Sequence, residues 1–155
     1  MNKQHHYNTK VTWTGNTGEG TISYHGYARS HQLSITNKSV IECSSDPAFA
    51  GDATKYNPEE LLLASLSSCH MLWYLHLCAD NGISVIEYFD NATGTMEENE
   101  HGGKFTDVML QPHVTITNST QIEKAKSLHA QANKLCFIAN SCNFPVRHLA
   151  FCKVG

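Results

Sequence analysis

Asn57-Pro58-Glu59-Glu60-Leu61-Leu62-Leu63-Ala64-Ser65-Leu66-Ser67-Ser68-Cys69-His70 is the stretch around which this chain is organised. It opens as a helix should. Asn57 is an N-cap residue, Pro58 is tolerated in the first turn, and Glu59 and Glu60 place negative charge on the positive end of the helix dipole. The helix is predicted to run to Asn81-Gly82, a left-handed stop. That span measures about 35 Å at 1.5 Å per residue. Leu62, Leu63, Leu66, Cys69, Met71, Leu72, Trp73, Leu75 and Leu77 leave it almost no polar face. Such a helix must be covered by sheet, by a second helix or by a partner subunit.

Working outward, the region before it (1–56) is rich in Thr, Ser, Tyr and Gly. Short runs at Lys10 to Thr14, Gly20 to Tyr27, His31 to Thr36 and Val40 to Cys43 read as a strand meander. Gly15-Asn16-Thr17-Gly18-Glu19-Gly20 lacks the Lys and following helix of a phosphate loop, so it reads as a hairpin turn, and Ser44 to Asp52 reads as a loop. Beyond the central helix (57–82), Ile83 to Met96 and Lys104 to Thr117 read as two long strands joined by a polar tip at Glu97 to Gly103. Ser119 or Thr120 with Glu123 signals a second helix, carried by Ile122, Ala125, Leu128, Ala132, Leu135, Cys136 and Ala139. Pro145 ends it, and Val146 to Val154 is a last strand. The order is that of an α+β chain forming one domain over 1–155.

The composition narrows the classes. The chain has 155 residues, 41% apolar and 16% charged, with a formal charge of −3. This is a globular composition with nothing to attract nucleic acid or an anionic membrane. The N-terminus carries no apolar stretch of the secretory kind, and the apolar stretches read as too short and too polar to span a bilayer, so the expectation is a cytoplasmic protein. In that setting the six cysteines, Cys43, Cys69, Cys78, Cys136, Cys142 and Cys152, are expected as reduced thiols, not as a disulfide framework.

Two of those cysteines stand out by setting: Cys69 midway along the long helix, and Cys136 near the end of the second. An unpaired Cys is most often a small core hydrophobe, whereas two on helices facing one core can act as a peroxidatic and resolving pair. His70 adjoins Cys69, but neighbours in a helix point about 100° apart, which argues against a Cys-His protease pair. His129 shares a face with Cys136 but lies about 10 Å away along the axis, where it borders a pocket without touching the sulfur. Cys78 lies on the face opposite Cys69. Ten His and six Cys invite a metal reading, yet no Cys-x-x-Cys or His-Glu-x-x-His occurs, and no metal or other cofactor is expected. Glu59 and Glu60 read, on physics alone, as carboxylates satisfying first-turn amides.

The stretch Asn57 to Met71 closely resembles the signature of the osmotically inducible protein C (OsmC) family, kin to the organic hydroperoxide resistance (Ohr) proteins. His129 to Pro145, with Cys136-Phe137-Ile138-Ala139-Asn140-Ser141, is similar to that family's second cysteine motif. The resemblance implies an intertwined homodimer whose sheets wrap the central helices. It also implies a thiol peroxidase for organic hydroperoxides, regenerated by a small lipoyl-type dithiol. By the family pattern Cys69 is the peroxidatic thiolate, Cys136 the resolving thiol, and Glu59 a carboxylate orienting a catalytic arginine. Departing from that pattern, Asp46 to Asn57 holds Lys55 and no Arg. Arg29 is therefore the preferred cation, Arg147 being the one other arginine. Within one straight helix Glu59 stands about 15 Å from Cys69, so it acts through an intermediary or in the site of the other subunit. Cys142 ranks second as resolving thiol. The alternatives are a non-catalytic dimer of the same fold binding a small apolar or thiol ligand, and a cysteine redox sensor.

Overall fold

The computed structural model describes residues 3–155, which form two compact units, one running to Leu61 and the other comprising Leu62–Gly155. In the first, β1 (Lys10–Trp13), β2 (His31–Ser34) and β3 (Ile41–Cys43) make an antiparallel sheet in that order. The expected strand at Gly20 to Tyr27 is instead a run of turns. The reason is local: the Asn16 side-chain oxygen accepts from the amides of Gly18 (2.9 Å) and Gly20 (3.1 Å), and both glycines hold positive φ. Donors used this way cannot feed a ladder. Nor does this segment make a tight hairpin, because it belongs to the long connection from β1 to β2. That connection is pinned by Trp13 Nε1 donating to the Ala28 carbonyl at 2.9 Å, beside Gly15, whose backbone runs so close to Ala28 that no side chain fits.

The central helix, α1, spans Pro58–Asp80, as the sequence predicts. Its start is a capping box: Asn57 Oδ1 accepts from the Glu60 amide (2.8 Å), and Glu60 Oε2 accepts from the Asn57 amide (3.2 Å). Its end is Gly82 at φ 66. The buried residues Leu66, His70, Tyr74, Leu77 and Cys78 lie three or four apart, so one face of α1 is packed. Leu72, on another face, is 63% exposed. By length and composition α1 meets the requirement for a membrane span, contrary to the sequence reading, although its packed face belongs to the protein's own core.

The two expected long strands are each broken in two. They form β4 (Val85–Asp90), β5 (Thr93–Asn99), β6 (Gly102–Leu110) and β7 (Pro112–Ile116). Asp90 makes the break: one carboxylate oxygen accepts from the Gln111 amide and the other from Ser67 Oγ, both at 2.6 Å. The hairpin thereby changes sheets. β4 pairs with β7, and β5 with β6.

The expected last strand is also two, β8 (Val146–His148) and β9 (Phe151–Val154), added in parallel to β6 and β7 respectively. The sheets are thus β4-β7-β9 and β5-β6-β8. The second helix, α2 (Ile122–Leu135), follows a 3-10 turn at Ser119–Gln121 whose cap is Asn118, not Ser119 or Thr120; Asn118 Oδ1 accepts from the Thr120 amide at 3.0 Å. The core divides likewise. Tyr74, Leu77, Cys78 and Ile83 pack with Val114, Ile116, Ala125, Leu128 and Ala132, while Leu66 packs with Val108 and Leu110.

Candidate functional site

Cys69 lies on α1, one residue before the packed position His70, and is half-buried. The helix was expected to carry Cys136 and continue through Ala139, but it ends at Leu135. Cys136 is the first residue past it, extended at φ −64, ψ 110. Asn140 stops the helix. Its Nδ2 donates to the Lys134 carbonyl at 3.0 Å, occupying an acceptor that a further turn would have used. The chain then turns back, so that the Ala139 amide donates to Cys136 Sγ at 3.4 Å.

This fold brings the two sulfurs together. Cys136 is 1% exposed, and burial pushes its thiol up to about 11. The Cys69 thiol is its polar neighbour and pushes in the same direction, while the Ala139 amide opposes. Around the pair stand Trp73 and Phe137, edge to face at 5.4 Å, with Phe137 65% exposed, and Leu72. Leu66, one turn before Cys69 on the same helix, is wholly buried in the core.

Cys142 donates to the Ile138 carbonyl at 3.3 Å and packs on the Leu66 cluster, where burial raises its thiol as well. Cys78 is in the core beneath Tyr74, and Cys43 is buried in the first unit. Glu59 and Arg29 also belong to the first unit. Glu59 is in the first turn of α1, but the capping partner of Asn57 is Glu60. Arg29, just before β2, stacks over the rings of Tyr24 (4.3 Å) and Tyr27 (4.2 Å) and donates through Nη1 to the Tyr27 carbonyl at 2.6 Å. Its Nη2 is buried without a partner among the described residues.

Sequence reasoning missed a second cluster beside the thiols. His70 Nε2 and His129 Nδ1 are hydrogen-bonded at 3.0 Å, both residues are at 0% exposure, and His148 lies 5.6 Å from the His70 ring. Burial, then the neighbouring imidazole of His148, pushes His70 down to about 4. Burial, then His70 and His148, pushes His129 down to about 3. The pair is therefore neutral at physiological pH. The available signal was a His on the apolar stripe of each helix, in Leu66-His70-Tyr74 and in Ala125-Leu128-His129-Ala132. Among the described residues no group of three His, Cys, Asp or Glu side chains is arranged to hold a metal ion.

An α+β frame holding two thiols against each other defines a recognisable class. Residues 51–148 match the family model described as OsmC-like protein. An OsmC-like protein of unknown function from Vibrio cholerae is 30% identical, with a TM-score of 0.86 over 96% of this chain and 100% of that one. An organic hydroperoxide resistance protein OsmC from Legionella pneumophila is 18% identical (TM-score 0.69, 99% of each chain). An organic hydroperoxide resistance protein from Elizabethkingia anophelis is 20% identical (TM-score 0.67, 100% of each chain). No curated protein sequence matches this one. The chain belongs to the OsmC-like family.

Proposed function

We propose that this protein is a cysteine peroxidase that reduces organic hydroperoxides. The single observation that carries this reading is the contact between Cys69 and Cys136, in which Cys69 is the partly exposed sulfur and Cys136 the buried one. The Cys69 thiolate attacks the peroxide O–O bond, the leaving alkoxide takes a proton and departs as the alcohol, and Cys69 becomes a sulfenic acid. Cys136 then attacks that sulfur, water leaves, and the Cys69–Cys136 disulfide forms. A small dithiol supplies two electrons and two protons to restore both thiols, itself becoming a disulfide.

Leu72, Trp73 and Phe137 offer an apolar wall to an alkyl group. Burying about 100 Å² there is worth roughly 2.5 kcal/mol, to which hydrogen peroxide has no claim. For Arg29 and Glu59 the roles of thiolate-stabilising cation and orienting carboxylate rest on the family resemblance alone. The exposed apolar positions of α1 and a β1 whose four residues are all exposed favour a homodimer. Turnover of cumene hydroperoxide with a dithiol reductant is the test. The reading predicts steady consumption at several equivalents per subunit, and a protein that consumes less than one equivalent refutes it.

A further inference from the structure

The His70–His129 hydrogen bond joins α1 to α2 across 59 residues of sequence, both partners at 0% exposure. The rings lie within 6° of parallel with centroids 5.3 Å apart, which at an N–N distance of 3.0 Å is an edge-to-edge bond in the ring plane. Tyr74 lies flat on His129, 3.8 Å between centroids and 9° between planes, and fixes that plane. The arrangement is a poor way to gain stability. His70 Nδ1 and His129 Nε2 are buried without partners among the described residues, and an apolar pair of the same size would carry no such cost. What a directional bond supplies and an apolar contact does not is register, since it fixes the rotation of one helix about its axis and its axial offset from the other.

The positions give that register its use. His70 directly follows Cys69, and His129 lies seven residues, two helical turns, before Cys136. On the other side of the thiols the Trp73–Phe137 contact ties the same two segments. A disulfide tolerates little error: an S–S bond near 2.05 Å with Cβ atoms about 3.8 Å apart. Attack on a small peroxide by the partly exposed Cys69 sulfur makes no comparable demand on α2.

We propose that His70 and His129 are positioning residues for disulfide formation, setting the approach of Cys136 to Cys69 without touching either sulfur or the peroxide. This deepens the peroxidase reading and rests on it for its purpose, but it is testable without peroxide. The full-length reduced protein is equilibrated with oxidised dithiothreitol, which accepts two electrons and two protons as the Cys69–Cys136 bond forms. The ratio of products gives the effective concentration of one thiol at the other. His129→Phe keeps the ring on Tyr74 and removes the nitrogen, whereas His129→Asn keeps a polar atom at the Nδ1 position.

The expected result is a loss of at least tenfold in His129→Phe and a value within about threefold of wild type in His129→Asn. The same contrast, His70→Met against His70→Gln, decides the matter if His129→Phe does not fold. Equal values in the apolar and polar variants, or a wild type that forms no such disulfide, overturn the proposal. A wild type that forms the disulfide but consumes no cumene hydroperoxide overturns the peroxidase reading alone.

Discussion

The thiol pair and the imidazole pair join the same two stretches of chain, and burial acts on both in one direction, toward the neutral form. It raises Cys136 to about 11 and lowers His70 and His129 to about 4 and 3. They differ in access. One member of the thiol pair, Cys69, is partly exposed to solvent, while both imidazoles are sealed at 0% exposure. Titratable groups on the same two segments thus separate into a pair able to meet a substrate and a pair able only to hold geometry. A list of polar residues near the site would not distinguish them.

The largest effect expected from breaking this contrast is at Cys69. Cys69→Ser should lower hydroperoxide consumption by more than about a thousandfold, some 4 kcal/mol in activation free energy. Cys136→Ser should still consume one equivalent and then stop. Mass spectrometry after one equivalent of peroxide should show a Cys69–Cys136 disulfide in the wild type. A Cys136–Cys142 bridge with Cys69 reduced would reverse the assignment of roles.

The sealed pair should appear instead in acid stability. An imidazole whose folded pKa lies below its unfolded value of about 6.5 binds its proton more readily in the unfolded chain, so stability falls as pH drops through that value. The slope is about 1.4 kcal/mol per pH unit per imidazole until about pH 4 for His70 and about pH 3 for His129. Unfolding free energies from urea titrations at pH 7 and pH 5 should differ by on the order of 3 kcal/mol, and the double variant His70→Gln/His129→Asn should flatten the dependence. A pH-independent midpoint would mean that the imidazoles are not sealed.

Cys136 predicts the opposite limb. Its folded pKa is raised, so its contribution is complete below the unfolded thiol value of about 8.5 and is lost as pH rises toward 11, at about 1.4 kcal/mol per unit. Cys136→Ser should shallow the alkaline decline.

The smallest effect concerns the open side. Phe137→Ala should lower kcat/KM for cumene hydroperoxide about three- to tenfold, leave hydrogen peroxide unchanged, and shift stability by no more than about 0.5 kcal/mol, as an exposed position allows. Equal losses for both peroxides would remove the apolar wall from the mechanism.

What could be read from sequence was what local chemistry determines. Both ends of α1 are written in Asn57-Pro58-Glu59-Glu60 and Asn81-Gly82, because caps act over three or four residues, and the apolar spacing of α2 is likewise local. The division of each long strand was not legible. Asp90, Ser67 and Gln111 meet only in three dimensions, and an apolar strand reads alike on either side of a change of sheet. The thiols were singled out by their settings on two helices and by family pattern. The imidazole pair is not legible in the same way, because a partner 59 residues away leaves no periodic trace.

The order in which the strands are laid down has a consequence for how the second unit is made. Its antiparallel hairpin, β4 to β7, is nearly continuous in sequence, but each of its sheets receives its third strand, β9 or β8, from residues 146–154. Those parallel additions reach across α2, so their loop-closure entropy is met late in folding. A nascent chain can thus make α1, the hairpin and α2 yet leave an open edge on both sheets until the same short segment leaves the ribosome. Until then β6 and β7 offer unpaired backbone to any neighbouring chain, which makes the segment 146–154 the one that guards this unit against association through its edges.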